Sequence, residues 1–168
     1  MWLLIRRSSS GSLLAAALLV AGAAHPHGAA AQTASDADAG PPPAGVENAR
    51  RAWQNWTLNC QGCHRPDGSG SAGTTPSVAG TVAKFLSVPQ GREYLTRVPG
   101  VATSPLSDQD LSEVLNWMLW RFDRADMPTD FLPFTAGEVA QLRKRPLRLE
   151  ASRMRSDLLA KAGAGATP

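Results

Sequence analysis

The chain has two cysteines in 168 residues, and both fall in one pentapeptide, Cys60-Gln61-Gly62-Cys63-His64. His64 is also the one histidine beyond residue 27. Two thiols and an imidazole this close together tie a short segment to a narrow set of chemistries, and the rest of the chain has to fold around it. A thiol–disulfide redox motif is one such chemistry. It usually follows a strand in a βαβ unit, whereas this cluster ends a segment that reads as helix. Half a zinc site is another. Zinc takes four ligands, and the chain beyond residue 31 has no further Cys or His to complete a common set. A structural disulfide is a third, but a loop of two residues restrains little chain entropy.

The remaining reading is covalent haem attachment, for which C-x-x-C-H is the signature. Two thiols add across the porphyrin vinyl groups, and the two-residue spacing sets both sulfurs against one edge of the macrocycle. The adjacent histidine then falls under the iron as proximal ligand. The sequence therefore points to one haem c, with its iron, per chain, held by Cys60, Cys63 and His64. A buried haem would also serve as a large apolar filler for a small hydrocarbon core.

Residues 1–31 read as a secretory signal peptide. Arg6 and Arg7 supply the positive charge, Leu13 to Ala24 form an apolar run of about a dozen residues, and Ala29-Ala30-Ala31 offers a cleavage site before Gln32. The run is short for a membrane span of roughly 20 residues. Export places the mature chain in the periplasm. The full chain carries 17 basic and 14 acidic residues, a net charge of +3. Removing Arg6 and Arg7 with the leader leaves about +1, without the strong basic face that nucleic acid requires. No second apolar run is long enough to span a bilayer, so the mature chain is expected to have no transmembrane segment.

Residues 32–45, with three consecutive prolines, read as a disordered linker. The core is expected from about residue 46 to 145. Val46, Ala49, Trp53, Trp56 and Cys60 share a 3–4 spacing that predicts a helix running into the Cys-His cluster. A loop rich in Gly, Ser, Thr and Pro follows. "TVAKFLSV" and "PQGREYLTRV" predict short helices, and "PGVATSP" predicts a break. The helix from Ser107 to Phe122 is the clearest, with Ser107 as N-cap and Leu111, Val114, Leu115, Met118 and Phe122 on one face. "TAGEVAQLRKR" predicts another helix with a Thr135–Glu138 capping box. The tail is weakly helical and then disordered. Nothing alternates at period two for long, so the fold class is all-α.

At this point the residues resemble the class I c-type cytochromes, over about residues 47 to 122. That family has a small residue and an aromatic eight and four positions before the first cysteine, here Ala52 and Trp56. Alanine is a mild departure from the usual glycine. An apolar-x-x-aromatic pair in the last helix, here Val114 and Trp117, would pack on them. A proline about twelve residues after the histidine, here Pro76, would lend its carbonyl to the imidazole N–H and make it a better ligand. The resemblance implies a helical domain at residues 46–122 wrapped around one covalent haem, with residues 123–168 as a C-terminal extension, helical and then disordered.

The departure is on the other side of the iron. The family's sixth ligand is usually a methionine in the loop before the last helix, and between Thr81 and Leu106 there is none. Met127, before a proline just past that helix, is the sequence's candidate. Met118 reads first as core and second as a candidate ligand, Met154 has little claim, and an open iron, Lys84 or Tyr94 are the other options. Arg143, Lys144, Arg145, Arg148, Arg153 and Arg155, against Glu150, form either a solvated face or a docking patch for an acidic redox partner.

The functional expectation is a non-enzymatic electron carrier of the periplasm. It would take single electrons from a periplasmic dehydrogenase and pass them towards a terminal oxidase or another cytochrome. The alternatives are a haem protein whose open distal site binds a small ligand, and a haem subunit of a larger redox complex.

Overall fold

Asn48 opens the first helix, α1 (Ala49–Asn59), because its side chain accepts the Arg51 N–H and so satisfies one of the donors that a helix start leaves unpaired. The computed structural model describes residues 43–165. The expected leader and all but the last three residues of the expected linker lie outside the described residues. The buried face of α1 is Ala52 and Trp56, with Ala49 and Cys60 packed beside them. Trp53, expected on that face, is 51% exposed. The buried stripe is centred between Ala52 and Trp56, and at 3.6 residues per turn Trp53 stands about 80° from that line, past half-buried Ala49 and Cys60.

Past Cys60 the backbone re-forms as the single turn α2 (Gln61–His64). A loop then leads to a 3-10 helix (Ala83–Ser87), α3 (Gly91–Arg97) and the short α4 (Pro99–Ala102). Gly91 marks where α3 meets the 3-10 helix, since a Cβ there would sit 1.8 Å from the Phe85 carbonyl oxygen. The expected break at "PGVATSP" holds a helical turn instead. Pro99 occupies the first helical position, where a missing N–H costs nothing.

The longest element is α5 (Asp108–Asp123), capped as expected by Ser107, whose hydroxyl accepts the Asp110 N–H at 3.1 Å. Every residue from Leu111 to Leu119 is buried, not one face alone. The reason is that α5 is enclosed by α1 and α6 on two sides and lines a cavity on another. A 3-10 turn (Arg124–Asp126) and an extended stretch lead to α6 (Ala136–Leu142) and α7 (Ala151–Gly165). Thr135 accepts the Glu138 N–H at 3.2 Å, half of the expected capping box. The Glu138 carboxylate binds Arg92 instead. The core also runs further along the chain than expected. Leu147 and Leu158 are buried in it, and α7 packs against the 3-10 helix and α3.

Two buried polar side chains of α5 fasten this arrangement. Glu113 is 1% exposed. Its Oε1 accepts the backbone N–H groups of Glu47 and Asn48, both at 2.7 Å, and its Oε2 accepts from Arg51 at 2.9 Å. A buried carboxylate is tolerated when its oxygens are filled this way, and here its charge also sits at the start of α1, where the helix dipole favours an anion. Asn116 accepts the Phe134 N–H and donates to the carbonyls of Phe134 and Gly45. It thus ties the entry to α1 and the extension to the same helix.

The described residues contain no strand, only an isolated bridge between Ser71 and Thr75. The fold is all-α. No helix among them is long and apolar enough to cross a membrane.

Candidate functional site

Cys60 terminates α1 and starts α2, so the two helical pieces share it as a hinge. Its carbonyl accepts the N–H groups of Cys63 at 3.2 Å and His64 at 3.0 Å, which draws the five residues into one tight turn. Arg65 then adopts φ +63° with ψ 163°, a positive-φ, non-helical conformation that ends the helix. The two thiols are not joined to each other. Cys60 is half-buried and Cys63 exposed. Burial, and then the neighbouring Cys63, push the Cys60 thiol up to about 11.

Cys60, Cys63 and His64 line a cavity of about 440 Å³. The rest of its wall is mainly apolar and comes from elements far apart in sequence: Trp56 of α1, Phe85 of the 3-10 helix, Leu95 of α3, and Leu111, Leu115 and Met118 of α5. Val98, Pro99, Gly100 and Val101, just before α5, supply another part of it. The face of α5 turned to the cavity is Leu111, Val114, Leu115 and Met118; Phe122, expected on the same face, packs instead against Trp56 and Trp117. Trp117 leans instead towards α1, its ring 6.1 Å from that of Trp56. Ala52, Trp56, Val114 and Trp117 are all buried where α1 meets α5.

The loop after His64 is built to bring Pro76 back to the imidazole. The Gly70 N–H binds the His64 carbonyl at 3.0 Å, and Ser71 and Thr75 close a turn. Gly70 has φ +72°, and a Cβ on it would meet the carbonyl oxygens of Thr75 at 2.3 Å and Pro76 at 2.7 Å. Only glycine lets the two limbs of the loop lie this close. Burial lowers the His64 pKa, the Pro76 carbonyl acts on the ring in the opposite sense, and the charge of Arg155 lowers it further. The Pro76 contact is loose, because His64 Nδ1 is buried without a hydrogen-bond partner of ordinary geometry.

Met127 is half-buried against the core but is not among the residues that line the cavity; Met118 is. Lys84 is exposed and pairs with Asp126 at 3.5 Å. Tyr94 is buried in the cavity wall, its ring stacked 4.9 Å from Phe85. The run of basic residues divides. Arg143 turns inward, to the carbonyls of Ala102, Ser104 and Leu106 and to Asp108, and Arg155 reaches into the cavity wall. Lys144, Arg145, Arg148 and Arg153 stay on the surface. Glu113, Asn116 and Arg155, which organise the site, were not singled out for these roles in the sequence, because their partners lie tens of residues away.

Comparison with known proteins decides the family. Over 106 residues the chain is 36% identical to cytochrome c-552 of Thermus thermophilus, an alignment covering 52% of this chain and 81% of that protein. Cytochrome c-552 of Thermus thermophilus strain ATCC 27634 is likewise 36% identical over 106 residues, covering 52% of this chain and 72% of that one. The chain belongs to the class I c-type cytochromes. No protein-family model matches the sequence, and no solved structure matches it. As a c-type cytochrome it carries haem c and works in electron transfer. The cavity suits that group on its own chemistry. It is large and apolar, two thiols and an imidazole converge on it, and one buried nitrogen in its wall, Trp56 Nε1, has no protein partner.

Proposed function

We propose that this cytochrome is an exported, periplasmic carrier of single electrons. It would hold one haem per chain through thioethers to Cys60 and Cys63, with His64 as proximal ligand and Pro76 as its hydrogen-bond partner. The observation that carries the reading is the convergence of Cys60, Cys63 and His64 on one large apolar cavity. Bound haem supplies a one-electron couple at its iron. The protein contributes the rest. Leu111, Val114 and Leu115 keep water from the cavity, Cys60 and Cys63 fix the occupant, and the tight turn at Cys60 aims the imidazole.

Electron carriage needs a route to the surface but no substrate chamber. Cys63 is exposed, and Leu58, two residues before Cys60, is 81% exposed. Exposed uncharged side chains near the attachment turn in sequence suit the small, transient interface of a redox encounter. Lys144, Arg145, Arg148 and Arg153 supply positive charge that would speed approach of an acidic partner. The donor in this reading is a periplasmic dehydrogenase, and the acceptor a terminal oxidase or another cytochrome.

For the sixth position Met118 replaces Met127 as the favoured side chain, because it faces the cavity. A second reading, an iron open to a small ligand, is favoured by the apolar Val98–Val101 segment, which carries no sulfur or imidazole at the place where the family's methionine loop belongs.

The test is the intact mass of protein made with a cytochrome c maturation system. A gain of one haem, lost in Cys60→Ser/Cys63→Ser, is expected; the bare polypeptide mass would refute the reading. Carbon monoxide added to the reduced protein separates the two versions of the sixth position. Slow or absent uptake that becomes immediate in Met118→Ala supports Met118, and immediate uptake in the parent supports the open site.

A further inference from the structure

The cavity wall is apolar apart from a few uncharged polar groups and one permanent cation. That cation is Arg155, carried by α7 of the C-terminal extension. No Asp or Glu lines the cavity with it. Among the described residues no carboxylate forms an ion pair with Arg155. The nearest acid along its own helix, Asp157, faces Arg153 at 3.9 Å. The contacts Arg155 does make leave much of its donor capacity unused. One N–H reaches the Ser77 carbonyl at 3.2 Å, and the guanidinium lies over the Phe85 ring, 5.3 Å from its centre. Burial raises the pKa of Tyr94, and Arg155 opposes that rise by its charge and by a hydrogen bond, which sets the phenol beside the guanidinium.

A half-buried guanidinium with five donors, next to an apolar space, calls for an anion with paired oxygens. Haem carries two carboxylates on the edge of the macrocycle away from its vinyl groups. The thiols come from the α1–α2 junction, which packs with α5, and Arg155 comes from α7, which packs on the 3-10 helix and α3. The two chemistries therefore enter the cavity from different walls.

We propose that Arg155, with the Tyr94 hydroxyl beside it, is the carboxylate anchor of the cavity, so that helix α7 of the extension completes the haem site. This rests on the reading of the cavity as a haem site and assigns to the extension a binding role. Loss of the cation removes a positive charge that favours the reduced iron, so the midpoint potential falls.

The experiment uses haem-loaded protein carrying Arg155→Gln or Arg155→Lys. Covalent haem, measured by intact mass, is expected to persist in both. Arg155→Gln is expected to shift the reduction equilibrium roughly tenfold towards the oxidised form, about 59 mV for a one-electron couple, and to displace the porphyrin-carboxylate bending bands in the resonance Raman spectrum. Arg155→Lys, which keeps the charge, is expected to hold most of the potential while still moving those bands. Unchanged bands and an unchanged potential in Arg155→Gln would overturn the proposal and leave the haem reading intact. Failure of the parent chain to take up haem would instead overturn the reading beneath it. If Arg155→Gln does not accumulate, Arg155→Lys with unmoved bands overturns the proposal as well.

Discussion

Replacing Glu113 by Ala should loosen the start of α1, the helix that delivers Cys60 to the cavity. The carboxylate accepts two backbone N–H groups at 2.7 Å and Arg51 at 2.9 Å while itself 1% exposed. Hydrogen bonds to a charged group contribute about 1.5–3 kcal/mol each. The Arg51 side chain is 41% exposed, so screening limits that pair to roughly 1 kcal/mol or less. Glu47 and Asn48 are exposed, so water can rejoin their N–H groups once the carboxylate is gone, which holds the total near 3 kcal/mol. With an unfolding entropy of about 2.1 cal/mol/K per residue, a domain of this size loses roughly 4 °C of Tm per kcal/mol. Glu113→Ala should therefore lower Tm by about 12 °C, and Glu113→Gln, which keeps an acceptor but not the charge, by about half of that. Circular dichroism melts of the haem-loaded variants read the shift, and amide exchange places it at residues 47–52. The argument fails if Glu113→Ala costs less than about 3 °C, or if Arg51→Ala costs as much, since the backbone bonds would then not be what holds the helix.

Other perturbations probe the remaining supports. Burial pushes the Asp123 carboxyl up to about 6; the Ala83 N–H and Lys84 oppose this, and Asp126 adds to it. The folded chain then holds a proton that the unfolded chain has lost, so stability should fall as pH rises from the ordinary aspartate range to about 6 and level off above. Urea midpoints across that window should be flatter in Asp123→Asn, and an unaltered slope would disprove the assignment. Gly70→Ala forces a Cβ against the Thr75 and Pro76 carbonyls and should cost about 1–3 kcal/mol. A shift of the His64 ring resonances by NMR would accompany it, and a variant as stable as the parent with unmoved resonances contradicts the close approach. In the unmatured chain Cys63, which is exposed, should be alkylated at mildly alkaline pH well before Cys60, whose thiol is pushed up to about 11. Peptide mapping of equal labelling would refute that order.

What the sequence made legible was local. The pentapeptide at Cys60, the Ser107 cap and the cavity-facing side of α5 all follow from residues within a turn or two of each other. What stayed hidden depends on distance along the chain. Glu113 looks like a surface acid on a helix until the start of α1 folds onto it from more than sixty residues upstream. Arg143 and Arg155 look like two more surface cations in a basic run, and only the carbonyls and the cavity they reach, tens of residues earlier, show them to be inward-facing. α4 was missed for a different reason: proline signals a break inside a helix but is accepted at its first position. Of the two methionines that the sequence offers for the sixth position, Met118 lines the cavity and Met127 does not, a distinction that rests on how α5 packs and not on any local motif.

The order in which the walls appear during synthesis has its own consequence. His64 precedes Arg155 by about ninety residues, so the attachment turn emerges while the last wall has yet to be made. On the proposed role of α7, the attachment turn would meet its occupant in a chamber still open on the side of the terminal helix, and that helix would close it last.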